Sequence, residues 1–188
     1  FQREGVEAVA VVLLHSYANP HNEKGVAHIA RAILGPDVFV TASHEILPVI
    51  REYERTSTTV INAYLGPIVG AYFASVRRHL EAIGVTAPLL VMKSDGGVMS
   101  ADLAAERPAY IVESGPAAGV MGVAKLGSAT GMARPDALTL DMGGTTAKAS
   151  IVEDGQVART GDYEVGAGIN LSSKLVMGGG YALKLPVI

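Results

Sequence analysis

The chain has 188 residues, 49% of them hydrophobic, with no cysteine and 15 basic against 18 acidic side chains, a formal net charge of -3. That length suffices for one substantial core, or for one domain plus part of another. The charge gives no electrostatic footing for nucleic acid, and without cysteine there is no disulfide framework, no thiol nucleophile and no soft ligand set for zinc. No apolar run is expected to reach the length of a membrane span and no charged-then-apolar leader opens the chain, so a cytoplasmic enzyme is the expectation. Opening on Phe1 in mid-pattern and closing on Leu185-Pro186-Val187-Ile188, the chain reads as an internal fragment.

Residues 6–14 form an apolar run suited to a buried strand, 22–34 carry a helical pattern, and 38–43 make a second strand. Between 56 and 83, Ile61, Tyr64, Leu65, Ile68, Tyr72, Phe73, Val76, Leu80 and Ile83 keep a helical period. Pro67 is expected to kink that helix or to start a new one. Residues 88–92 make a strand that delivers Ser94-Asp95-Gly96-Gly97 to a loop, either a phosphate or substrate loop or a plain turn. A boundary is expected between Met99 and Ala109, dividing the chain into 1–105 and 106–188. Residues 113–127 then read as a helix with Ser114 as N-cap and Pro116 in the first turn, closing near Gly127 or Gly131. Gly115, Ala118, Gly119 and Gly122 fall at three- and four-residue spacings, leaving one face almost without side chains, so that another backbone can come very close.

The most informative stretch runs from Leu138 to Gly155. Leu138 and Leu140 alternate with Thr139 before a stop at Asp141, and after Gly143-Gly144-Thr145-Thr146 the residues Ala147, Ala149 and Ile151 alternate with Lys148, Ser150 and Val152. Two adjacent glycines let the backbone approach a ligand, and the threonines offer hydroxyls beside turn N–H groups, which is the form of a phosphate loop. Asp141, at the exposed strand end, is placed to hold a hydrated Mg2+. An ordinary Gly-Gly hairpin accounts for the same residues. Glu153-Asp154-Gly155-Gln156 is a second tight turn, and 157–160 can return as a third strand.

Three antiparallel strands joined by two tight turns, the first carrying Asp-x-Gly-Gly-Thr, resemble the opening meander of the ribonuclease-H-like superfamily of sugar kinases, actin and heat-shock ATPases. The resemblance implies an α/β fold, a mixed sheet with flanking helices, within a larger two-lobed protein whose small-residue helix crosses its counterpart at the hinge. A narrower resemblance rests on His15-Ser16-Tyr17-Ala18-Asn19-Pro20-His21-Asn22-Glu23, Ser43-His44-Glu45-Ile46-Leu47-Pro48, the run 51–64, Lys93-Ser94-Asp95-Gly96-Gly97-Val98-Met99-Ser100, Ser114-Gly115-Pro116-Ala117-Ala118-Gly119-Val120 and Asp141-Met142-Gly143-Gly144-Thr145-Thr146. In this order they are similar to the hydantoinase A/5-oxoprolinase family, with the related acetone carboxylase β subunits sharing the architecture.

What that resemblance implies is an ATP- and Mg2+-dependent enzyme that opens a small cyclic amide such as hydantoin or 5-oxoproline, working with a hydantoinase B-type partner subunit and oligomeric when full length. Gly143, Gly144, Thr145 and Thr146 would cradle phosphates, Asp141 would be the metal-bearing catalytic residue, and Glu113 would orient a water or Mg2+. Helix-dipole stabilisation is the plainer reading of Glu113. The first phosphate loop and the adenosine-binding loop that the superfamily needs are not found here, so the fragment is expected not to turn over by itself. A ketone carboxylase subunit and a non-catalytic interaction module of the same fold are the alternatives. Lys148 stands where many family members carry an acidic residue; it either contacts a phosphate or faces solvent.

Other residues carry two readings each. His15, His21 and His44 are proton carriers or metal ligands on one reading, but their spacing matches no metal motif, and structural or surface roles fit better. Arg51, Glu52, Glu54 and Arg55 either bind an anionic substrate or form exposed ion pairs at a helix start. The tail, with Gly166, Gly168 and Gly178-Gly179-Gly180, is either a loop near the substrate or mobile.

Overall fold

The chain begins with a strand–helix–strand unit. β1 (Ala8–Val11) pairs in parallel with β2 (Phe39–Ala42), Val9 opposite Val40 and Val11 opposite Ala42, and α1 (His21–Leu34) connects them. A parallel pair needs such a crossover, and its helix covers one face of the strands. Val11, Ala27, Val40 and Ala42 close the core between them. This computed structural model describes residues 1–131, 136–144, 147–161, 163–165 and 181–188. Thr145, Thr146 and the tail glycines Gly166, Gly168, Gly178, Gly179 and Gly180 lie outside the described residues.

A one-turn helix, α2 (Ser43–Ile46), leads to α3 (Glu52–Ala82), a single helix of 31 residues. The helix starts four residues before the expected position and runs through Pro67 without a break. Proline removes one backbone bond and costs about 3 kcal/mol, but α3 packs against β1, β2, the last strand and the segment around residue 108, and tertiary packing of this extent outweighs a local propensity. The apolar period holds in part, Phe73 being buried and Ile61 packed on a core cluster, but the first half of the buried face is polar: Arg55, Ser57, Thr58, Thr59 and Asn62 are inside, whereas Tyr64, Ile68 and Tyr72 are exposed. Asn62 donates to Thr41 Oγ1 (3.1 Å) and to the Glu106 carbonyl (3.2 Å), and its own carbonyl accepts from the Ala109 N–H (3.1 Å). Thr58 Oγ1 accepts from the Lys184 N–H at 3.0 Å. By length and composition α3 could cross a membrane, against the expectation that no segment would; the bonds of Thr58 and Asn62 tie its polar side to segments of this fold.

At Gly66 the helix presses on β2, where a Cβ atom would sit 2.4 Å from the Phe39 ring. Gly66→Ala should therefore destabilise the protein by about 1–3 kcal/mol, despite alanine's better helix propensity. A thermal unfolding midpoint at or above wild type would show that the ring moves aside freely.

β3 (Leu90–Met92) and β4 (Val98–Ser100) form an antiparallel hairpin, followed by α4 (Ala101–Glu106), which Ser100 caps by accepting from the Leu103 N–H. Phe73, Met99, Ala101 and Ala104 make the core here. Leu47, Ala109, Leu183 and Leu185 make another that joins segments on either side of the expected boundary near residue 105.

α5 (Ser114–Ala129) is the expected small-residue helix, with Pro116 in its first turn and Thr130 as C-cap. Ser114 is its first helical residue rather than the N-cap; Glu113 holds that position and makes no capping bond. β5 (Ala137–Met142), β6 (Ala147–Glu153) and β7 (Gln156–Val157) then form an antiparallel meander, with Asp141 opposite Lys148 and Glu153 opposite Gln156. Ala137, Val152 and Val157 pack on Val120 and Ala124 of α5. The bare face of α5 is open: nothing lies within 4 Å of a Cβ built at Gly115, Gly119 or Gly122, so no described residue makes the expected close approach. β8 (Tyr163–Val165) and β9 (Tyr181–Leu183) pair antiparallel, and Thr160 bridges to Val187. The fold is α/β, and its parallel and antiparallel pairings are distributed among the described residues over four small sheets.

Candidate active site

Strand alternation decides what faces α5. In β6, Lys148 and Ser150 share a side with Val152, which is buried against α5, while Ala147, Ala149 and Ile151 lie on the other side. Cross-strand partners share a face, so Asp141 stands beside Lys148 on the α5 side. Leu138, Leu140, Met142 and Ile151 are exposed on the opposite side. Asp141, Gly143 and Gly144 are all solvent-exposed, and no atom of the described residues lies within 4 Å of a Cβ built at either glycine, so the described part of the turn has room for a ligand against its backbone.

Glu113 completes the group from the other direction. It sits immediately before α5 in the left-handed region, φ 64 and ψ 18, a conformation that is uncommon for a side chain of this length. Its carboxylate forms an ion pair with Lys148 Nζ and accepts a hydrogen bond from the Tyr163 hydroxyl at 2.9 Å. These partners also account for the missing helix cap, since the carboxylate is already engaged. Burial pushes the Lys148 ammonium below its usual pKa range, which makes the charged form dependent on an anionic neighbour.

The structure thus brings Glu113 and Asp141 to one face with Lys148 between two strands and a helix start; Thr145 and Thr146 lie outside the described residues. Lys148 neither faces solvent alone nor lacks a partner. Tyr163 was not anticipated, and nothing local in its surroundings could have signalled its bond to a residue 50 positions away. The residues present suit magnesium nucleotide: an exposed carboxylate for the cation, an ammonium for phosphate, and open backbone at two glycines. An enclosed, water-excluding cleft is not formed at Asp141 by the described residues. Two shallow surface depressions among the described residues, one including Arg31, Pro36 and Phe39 and the other Met121, Gln156 and Arg159, contain none of these groups.

The remaining candidates separate clearly. Asp95 belongs to the turn of the β3–β4 hairpin and is consumed there: Oδ1 accepts from the Gly97 N–H and Oδ2 from Lys93 Nζ, both at 2.8 Å. Gly96, at φ 81, is packed so tightly that a Cβ would lie 2.6 Å from Met121. Burial opposes ionisation of Asp95, but the bonds from Lys93 and Gly97 hold its pKa low. This is the plain turn rather than a phosphate loop. His15 and His21 are exposed, and among the described residues no cluster of three or more His, Cys, Asp or Glu could hold a metal.

His44 is built into the interior. Its Nδ1 lies 2.5 Å from Oε2 of Glu23, a carboxylate with no exposed surface. Glu23 also accepts from the backbone N–H groups of Leu13 (2.9 Å) and His44 (2.8 Å) and from Ser43 Oγ (2.7 Å). Arg51 pairs with Glu54 at the surface as an ordinary ion pair, but Arg55 is wholly buried, donating to the carbonyls of Leu13 (2.8 Å) and Val49 (3.1 Å) and lying over the Tyr17 ring. The Leu13 peptide therefore links Glu23 to Arg55, which explains the motif-rich segments around residues 15, 44 and 55 as one buried polar network.

Comparison with known proteins follows the same segments. The Hydantoinase/oxoprolinase family matches residues 55–188, and the Hydantoinase/oxoprolinase N-terminal region matches residues 1–34. Caprolactamase subunit alpha of Pseudomonas jessenii is 36% identical over 185 residues, 96% of this chain and 26% of that protein. In the crystal structure of the ATP-dependent caprolactamase from that organism, the similarity covers all of this chain and 25% of that chain with a TM-score of 0.74. The 5-oxoprolinase of Saccharomyces cerevisiae is 33% identical over 172 residues, 90% of this chain and 13% of that protein. A nucleotide-free structure of acetone carboxylase, described for ATP-dependent acetone carboxylation, matches 98% of this chain and 24% of its own with a TM-score of 0.77 and 26% identity. The chain spans about a quarter or less of the length of these relatives. With the motifs, the meander and the matches covering both ends, the chain belongs to the hydantoinase/oxoprolinase family.

Proposed function

We propose that this chain carries a phosphate-binding segment of an ATP-dependent enzyme that opens cyclic amides. The observation that carries the reading is the convergence of Asp141, Lys148 and Glu113 beside the open Gly143–Gly144 turn. The caprolactamase and 5-oxoprolinase relatives support a lactam-type substrate. An amide carbonyl is a poor electrophile. Transfer of the terminal phosphoryl group to the amide oxygen, with ADP leaving, makes the carbon open to attack by water; the ring C–N bond then breaks with the nitrogen leaving as an amine, and a second water hydrolyses the resulting acyl phosphate to carboxylate and phosphate.

In this scheme the N–H groups of Gly143 and Gly144, with Thr145 and Thr146, bind phosphate oxygens, and Asp141 holds Mg2+. Mg2+ held there would neutralise charge on the nucleotide. Glu113, anchored by Tyr163, orients the reacting group, and Lys148 offers a positive charge to the phosphates. Subunit designations among the relatives, caprolactamase alpha and acetone carboxylase beta, favour a partner subunit of the hydantoinase B type. The acetone carboxylase likeness supports a second reading, carboxylation of a ketone.

The two readings require different co-substrates. The full-length protein with its partner subunit should release ADP and phosphate in response to caprolactam, hydantoins or 5-oxoproline without bicarbonate. A response only to ketone plus bicarbonate would overturn the cyclic-amide reading in favour of the second. A response to neither would remove both.

A further inference from the structure

The Lys148–Glu113 ion pair occupies the charges that a nucleotide would use. Both side chains are partly open to solvent, 24% and 30% exposed, so a ligand can reach the pair without unfolding anything. A carboxylate offers one negative charge to the ammonium, whereas a terminal phosphate offers about two and three acceptor oxygens. We propose that Glu113 is the resting counter-ion of Lys148 and that nucleotide phosphate displaces it, so that Lys148 turns to the ligand and the Glu113 carboxylate is released to face the reacting end. This exchange rests on the reading of the Gly143–Gly144 turn as a phosphate site.

Three features make the pair suited to exchange rather than to permanent bracing. Glu113 has a second anchor in the Tyr163 hydroxyl, 2.9 Å from Oε1, and its backbone is held in the left-handed region, so it stays in place when Lys148 leaves. Lys148 has no such second anchor among its described hydrogen bonds and sits at the end of a flexible four-carbon stem. Asp141 is the cross-strand neighbour of Lys148 on the same face, so among the described residues two carboxylates accompany one ammonium there, and these three groups together carry a net negative charge. Bare nucleotide is repelled from such a site; nucleotide carrying Mg2+ is admitted and brings the charge that lets Lys148 change partner. Glu113 thereby acts as a brake on binding and as a positioning group once the ligand is bound.

The test is calorimetric binding of magnesium-bound, non-hydrolysable ATP analogue to the full-length protein, with turnover measured in parallel. Glu113→Gln keeps the shape and the Tyr163 contact but weakens the hold on Lys148; it should tighten analogue binding by about 5-fold or more while turnover falls. Lys148→Met should weaken binding by about 10-fold, Lys148→Arg should restore most of it, and Glu113→Gln should give no tightening in the Lys148→Met background. A purely structural pair predicts the opposite pattern, with Glu113→Gln leaving binding unchanged or weaker while wild type binds, and that result would overturn the exchange. Absence of analogue binding by wild type would instead overturn the phosphate-site reading on which the exchange stands.

Discussion

Asp141→Ala in the full-length protein is expected to reduce Mg2+-dependent ATP turnover by at least about 100-fold, while the unfolding free energy stays within about 0.5 kcal/mol of wild type. The two halves of this expectation have one cause. Asp141 is exposed at the end of β5, where its removal opens no cavity and leaves no buried partner unpaired, yet it is the carboxylate beside the open Gly143–Gly144 turn. ADP release measured at saturating substrate, together with a melting curve, checks both. Turnover at the wild-type rate would remove Asp141 from the site and leave the turn as an ordinary hairpin.

The largest loss of stability is expected from Glu23→Ala, about 3–5 kcal/mol, because it removes the one buried carboxylate that serves Leu13, Ser43 and His44 and leaves several interior polar groups without their partner at once. Activity at permissive temperature should suffer only through the folded fraction. Burial opposes the Glu23 charge, but the bonds from Ser43, from the His44 and Leu13 N–H groups and from the His44 ring outweigh it, so the folded carboxyl titrates below its ordinary value. The sign follows from that direction: the contribution is fully present above the ordinary glutamate value of about 4.3 and is lost as pH falls through the lowered folded value. Wild type should therefore lose stability on acidification through this range, and Glu23→Ala should show a flatter acid limb. A variant with an unchanged unfolding midpoint and an unchanged acid limb would show that the network is not what holds β1, α1 and α2 together.

Local pattern determined a good deal of this protein. The helical stretch 22–34, the strand preceding it, the small-residue helix after Glu113 and the hairpin from Leu138 to Val152 all follow from spacing of apolar residues and turn glycines, which act within a few positions along the chain. Asp141 at a strand end was legible for the same reason. Tertiary structure alone decided which side of each element is used. The period along α3 pointed correctly to Phe73 but also to Tyr64, Ile68 and Tyr72, which are exposed, while Arg55, Thr58, Thr59 and Asn62 are buried because their partners at Leu13, Thr41, Ala109 and Lys184 arrive from distant segments. Pro67 is tolerated since neighbours on several sides replace the support that its missing N–H removes. Lys148 is the clearest case. Its place on β6 was set by the two-residue strand period, but its charge acquired a meaning only when chain folding set Glu113 and Tyr163 against it, a conjunction that no local propensity encodes.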